Sequence, residues 1–103
     1  MITLLNDRRR ALGLPEVREN AREVEASVAC AETNVKNGSG LTHCGHEVLF
    51  WSSGGPSPEQ IMEAWFNSPG HKRALTYGSS RNAGAAIVAK PGGGIVAALT
   101  IDY

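Results

Sequence analysis

All three histidines, His43, His46 and His71, fall within the stretch Leu41–Lys72, and Glu47 lies among them. They are the side chains whose types could bind a metal or move a proton near neutral pH. His71 stands in the segment Ala64-Trp65-Phe66-Asn67-Ser68-Pro69-Gly70-His71-Lys72-Arg73. Ser68 reads as the N-cap of a new helix, with Pro69 at the first helical position, where no backbone N–H is needed. Gly70 would let another backbone or a ligand come close. His71 then lies in the first turn, beside unpaired N–H groups and the positive end of the helix dipole. That field opposes imidazolium and leaves a neutral, ligand-competent ring. The competing reading is a plain helix-to-helix corner with a partly exposed histidine.

His43 and His46 flank Cys44-Gly45. A cysteine between two histidines could act as a thiolate nucleophile, but pairing with Cys30 would silence it. The Ser68 hydroxyl, wanted as a cap, is poorly free for nucleophilic work. No G-x-S-x-G elbow, no H-E-x-x-H and no phosphate-cradling Gly-rich loop between strand and helix is present. The Gly92-Gly93-Gly94 run reads as a hairpin turn.

The elements that must position these residues are legible in the pattern. Ile2 to Leu12 reads as a helix with Ile2, Leu5, Ala11 and Leu12 inward and the arginines outward, stopped by Gly13 and Pro15. Glu19 to Lys36 reads as a second helix, with Val24, Val28, Ala31 and Val35 at helical spacing. Asn37-Gly38-Ser39-Gly40 is a flexible loop that also matches a glycosylation acceptor. Glu47 to Trp51 is short and rich in strand formers. Ser57-Pro58-Glu59-Gln60 is a capping box. It opens a helix whose Ile61, Met62, Trp65 and Phe66 read as core rather than as a ligand box.

Asn82 to Lys90 and Gly94 to Tyr103 flank Pro91-Gly92-Gly93 as a hairpin. Both of its faces are apolar, so both must be covered. The expected fold is α+β: a single domain over residues 1–103, built as a three-layer α-β-α sandwich with a small antiparallel sheet between helices.

Composition excludes several classes. With 103 residues, 42% of them hydrophobic and 19% charged, the chain reads as one globular domain. Ten basic and ten acidic residues cancel, which argues against nucleic acid as a partner. Arg8, Arg9 and Arg10 would spread over roughly 200° of a helix and read as a solvated face. No run of ~18 apolar residues is present to form a transmembrane segment, and no signal peptide is evident.

The string Asn67-Ser68-Pro69-Gly70-His71, after an aromatic-rich helix and before a basic turn, resembles the bacterial branch of the CAP superfamily. That superfamily, also called SCP-like, takes its name from cysteine-rich secretory proteins, antigen 5 and pathogenesis-related 1 proteins. The likeness extends to Leu4–Pro15 as the opening helix and its turn, and to Ala26–Glu32 as the second helix. It continues through Gly45–Trp51 at the Gly-Glu-Asn strand motif and Arg81–Val88 as the next strand.

The resemblance implies an exported protein, extracellular or at the cell surface, and a chain that reads as an excised domain beginning at an added Met1; a cytosolic protein stays open. In an exported protein Cys30 and Cys44 fit a disulfide. Two buried thiols, or zinc on Cys30, Cys44, His43 and His46 without the usual paired spacing, are the other readings.

The resemblance also implies a cleft, lined here by His43, His46, Glu47, Ser68 and His71. His43 and His71 match the family's two cavity histidines. Gly45-His46-Glu47-Val48 departs from the family's strand motif, so that either His46 or Glu47 enters the cavity, but not both. The family's second acid is replaced by Ser68. His43, His71 and Glu47 would be the ligands of zinc or another divalent metal. The expected function is that of a binding module for a lipid-like molecule, an envelope component or a partner protein, without established catalysis. The rival is a hydrolase using a metal-activated water at His43, His71 and Glu47.

Overall fold

A computed structural model describes residues 1–38 and 40–103. Ser39, the third residue of the glycosylation-like Asn37-Gly38-Ser39 motif, lies outside the described residues. The elements run α1 (Ile2–Ala11), β1 (Arg18–Glu19), α2 (Ala21–Asn37), β2 (Glu47–Ser52), α3 (Pro58–Phe66), α4 (Pro69–Leu75), β3 (Asn82–Ala89) and β4 (Ile95–Ile101). The strands form one sheet in the order β1-β3-β4-β2. Antiparallel pairing joins β3 to β4 and β4 to β2, as expected. The two-residue β1 adds a parallel edge, Arg18 opposite Asn82 and Glu19 opposite Ala83. Two residues carry no alternation, which is why sequence pattern passes over β1.

The sheet is covered on both faces. On one side Val48, Ala83, Ala97, Leu99 and Ile101 pack against Ile2, Leu5, Ile61, Met62, Trp65 and Leu75 of α1, α3 and α4. On the other, Leu49, Val96 and Ala98 pack against Cys30 and Ala31 of α2. This is the expected α-β-α sandwich, and β4 divides its side chains between the two layers as the alternation requires.

Gly84 explains how closely α2 approaches. A Cβ there would lie 2.6 Å from the Glu23 carbonyl carbon, and closer still to the Val24 nitrogen. Backbone therefore packs on backbone, locked by the buried Ser27 hydroxyl, which donates to Gly84 O at 2.8 Å and accepts from Thr100 N at 3.0 Å. The inward face of α2 consists of Ser27, Cys30, Ala31 and Asn34, whereas Val28 is exposed. A helix pressed onto a glycine turns its small residues inward, so of the expected stripe Ala31 is buried and Val35 packs at the edge, while Val28 lies outside.

Capping follows the sequence closely at α3. Ser57 accepts from Gln60 N at 3.2 Å and Gln60 Oε1 accepts from Ser57 N at 2.8 Å. Trp65 is core as expected, and its indole N–H donates to Leu49 O at 3.0 Å, tying α3 to β2.

Arg9 departs from the expectation of a solvated basic face. Its side chain is wholly buried. It donates from Nε to Pro15 O at 2.8 Å, from one terminal nitrogen to Leu75 O at 2.9 Å, and from the other to Tyr77 O at 3.1 Å. The guanidinium therefore satisfies carbonyls at the C-terminal end of α4, and so sets where that helix sits against α1. Burial first, and then neighbouring Arg81, lower its pKa, while Asp102 opposes them. Arg10 remains at the surface in an ion pair with Asp7 and Glu16.

Candidate functional site

The loop that carries His43 is held at both ends. Asn34 on α2 donates to Thr42 O at 3.0 Å and accepts from Thr42 N at 2.7 Å. This exchange pins the residue before His43. The residue after it, Cys44, is joined by a disulfide to Cys30, with Cα atoms 5.9 Å apart. Neither cysteine is free, so Cys44 cannot serve as a thiolate in this state.

Glu47 closes the loop from below. Its carboxylate is buried at 2% exposure. Oε1 accepts from Cys44 N at 2.6 Å and Oε2 from Gly45 N at 2.8 Å. His43 Nδ1 lies 3.2 Å from Oε1, although the His43 ring itself is largely exposed. The pairing places the proton on Nδ1 and leaves Nε2 as the outward, acceptor nitrogen. Glu47 thus organises the turn and orients His43.

The choice between His46 and Glu47 is resolved by strand alternation. Glu47 and Leu49 share the α2 face, and His46 points elsewhere. His46 Nδ1 donates to Ile101 O at 2.7 Å, and its ring stacks on Tyr103 at 4.0 Å between centroids. Tyr77 completes the aromatic group at 6.1 Å. His46 is therefore committed to Ile101 O and the tyrosines, and Glu47 is the one of the two that pairs with His43.

His71 occupies the third position of α4, in its first turn. Its Nδ1 is buried and has no hydrogen-bond partner, the one such side-chain atom among the described residues. Burial lowers its pKa first, and the charge of His43 lowers it further. The two imidazoles are therefore near enough to feel one another. Desolvation thus favours the neutral ring, in the same sense as its first-turn position.

Ser68 is the N-cap by position, but its side chain makes no cap hydrogen bond. The main-chain bonds at the corner, Ser68 N to Trp65 O at 3.2 Å and Lys72 N to Ser68 O at 2.9 Å, do not replace that cap on the first-turn N–H groups. Ser68 directly follows Asn67, the residue that caps the end of α3. A methyl group added at Gly70 would meet nothing within 4 Å, so no close approach requires glycine there.

The three expected metal ligands do not gather as one set. Among the described residues, the group of three or more donors within 4.8 Å of one another is Cys30, Cys44 and Glu47, and both sulfurs are bonded together. What the fold assembles is a His43–Glu47 pair, with His71 within electrostatic reach of His43. A groove of about 270 Å³ opens elsewhere on the α2 side, lined by Asn34, Leu41, Trp51, Lys90 and Val96 and by neither His43 nor His71. Trp51 is 52% exposed there, with Lys90 Nζ 4.6 Å from its ring centre. Arg9 and Asn34, which position α4 and the His43 loop, were not apparent from sequence. Their type and spacing carry no signal until the partner carbonyls are brought to them.

The profile of the cysteine-rich secretory protein family, CAP, matches residues 2–103. An outer surface protein of Borrelia burgdorferi superposes with a TM-score of 0.81 at 16% identity, covering 95% of this chain and 85% of that one. MpPR-1i is similar in two crystal structures, with TM-scores of 0.76 and 0.72 and identities of 15% and 16%. Both cover 98% of this chain, against 86% and 82% of the other. At these identities the likeness shows the fold alone. No curated protein is similar enough in sequence to count as a relative.

Proposed function

This chain belongs to the cysteine-rich secretory protein (CAP) family, and we propose that it is an exported binding module whose His43–His71 cleft receives its ligand. The observation that carries this reading is the buried, unpartnered Nδ1 of His71, within electrostatic reach of His43. A buried polar atom without a partner costs free energy, and a bound ligand or ion would supply the missing contact. The disulfide and the outer-surface neighbour agree with an extracellular or cell-surface setting. Among the described residues, no helix is long and apolar enough to cross a membrane.

The donor chemistry fits a divalent metal such as zinc on the two histidines. His43 would use the nitrogen left free by Glu47, and His71 its unpartnered Nδ1. When bound, the metal would supply a positive anchor for an acidic or carbonyl group of the ligand. A separate groove lined by Leu41, Trp51 and Val96 suits an apolar body. A lipid-like molecule would therefore match both features better than a purely polar one.

The hydrolase reading is less well supported. A general base must be free to take a proton, and the Glu47 oxygens already accept two backbone N–H bonds in a buried position. Zinc added to the oxidised protein should raise its melting temperature, and the shift should vanish in the His43→Ala, His71→Ala double variant. An equal shift in the double variant would defeat the two-histidine site.

A further inference from the structure

The disulfide and Glu47 together hold a second arrangement. The sulfurs of Cys30 and Cys44 and a Glu47 carboxylate oxygen all lie within 4.8 Å of one another. Cys30 Sγ is 3.6 Å from Glu47 Oε1. Tetrahedral zinc with Zn–S of about 2.3 Å and Zn–O of about 2.0 Å places sulfur and oxygen about 3.5 Å apart, and two sulfurs about 3.8 Å apart. One sulfur–oxygen edge of such a polyhedron is thus already in place, the second lies within 4.8 Å, and the sulfur–sulfur edge must open.

We propose that reduction of the Cys30–Cys44 disulfide converts this corner into a site for a thiophilic divalent metal, held by Cys30, Cys44 and Glu47. A thiol reductant supplies the two electrons and two protons. The sulfur–sulfur bond breaks, the reductant leaves as its own disulfide, and the metal then displaces the two thiol protons. Exposed Cys44 gives the reductant access, while buried Cys30 and Glu47 supply the pre-set half. Three protein ligands leave a fourth position for water, and a metal on Oε1 takes the place of the His43 Nδ1 contact there.

The surrounding fold favours this conversion. Asn34 anchors Thr42 independently of the disulfide, and Glu47 anchors the backbone of Cys44 and Gly45. The loop therefore keeps two fastenings when the sulfur bond opens, and the thiolates stay near each other. Soft thiolates with one carboxylate select zinc or cobalt over magnesium or calcium. The site shares Glu47 and the neighbouring His43 with the proposed cleft, but does not use His71 and does not rest on the binding reading.

The test is cobalt(II) titration of the full chain after reduction by a phosphine and anaerobic removal of the reductant. One equivalent should produce an intense thiolate-to-cobalt charge-transfer band that zinc then abolishes. The oxidised protein should show none, and neither should Cys44→Ser. His71→Ala should leave the band and its affinity unchanged, and Glu47→Gln should weaken binding at least about tenfold. If reduction costs helical structure, cobalt should restore the far-ultraviolet circular dichroism. The proposal is overturned if no thiolate band appears, if a disordered reduced chain is not refolded by cobalt, or if Glu47→Gln leaves the affinity unchanged.

Discussion

Glu47 lies 3.2 Å from His43 across a single turn of backbone whose two N–H groups it also accepts. One buried carboxylate therefore shapes the loop and sets the tautomer of the histidine above it. Replacing Glu47 by Gln offers an amide N–H₂ where the backbone needs an acceptor. Charge-assisted hydrogen bonds of this kind are worth about 1.5–3 kcal/mol. Glu47→Gln is expected to lose roughly 2 kcal/mol in urea unfolding. An unchanged midpoint would mean that the turn is held by the disulfide alone.

Arg9 is the second anchor, because it fixes the end of the helix that begins near His71. Arg9→Met keeps much of the volume but orphans the buried acceptors at the end of α4. Each unsatisfied buried carbonyl costs about 1–3 kcal/mol, so a loss of roughly 3 kcal/mol is expected. The same change at Arg8 or Arg10 should stay within about 0.5 kcal/mol, as at ordinary surface sites. Equal effects at all three positions would remove the anchoring role.

Two glycines should behave oppositely. A methyl at Gly84 meets the α2 backbone, which cannot swing aside as a side chain would. Gly84→Ala should destabilise by about 2–3 kcal/mol through forced separation of α2 from β3. Gly70→Ala meets open space on a helix and should be neutral or stabilising by about 0.5 kcal/mol. Circular dichroism melts of the two variants, compared directly, check the contrast.

The depressed pKa of His71 gives stability a defined pH dependence. Its ordinary value is 6.5, and burial holds it lower in the folded state. The unfolded chain then binds a proton that the folded chain refuses. Stability from this group is whole above 6.5 and declines as pH falls below it, levelling once the folded pKa is passed. His71→Gln should flatten that part of the stability–pH curve. A curve with the same slope in the variant would assign the dependence to other groups.

Much of this architecture was readable because its signals are local. The Ser57–Gln60 box, the Gly-rich turn after Pro91 and the two-faced hairpin each state their geometry within a few residues. The placement of His71 in a first helical turn was equally visible. What could not be read depends on contacts across the fold. Arg9 looks like Arg8 and Arg10 until Leu75 O is beside it. Asn34 looks like any surface asparagine until Thr42 folds back onto it. His46 and Glu47 could not be separated without the strand face. Ser68 takes the N-cap position as its type suggests, but its hydroxyl makes no cap bond, a rotamer choice that residue type does not state.

The most direct test of the cleft is the imidazole ¹⁵N spectrum of the oxidised protein, recorded before and after one equivalent of zinc. Two histidine spin systems should respond, His71 at Nδ1 and His43 at Nε2, while His46, committed to Ile101 O, keeps its shifts. That pattern would place the ion between the two side chains, with Glu47 behind His43. Zinc that binds without moving the His71 Nδ1 resonance, or that moves His46 instead, would contradict the account.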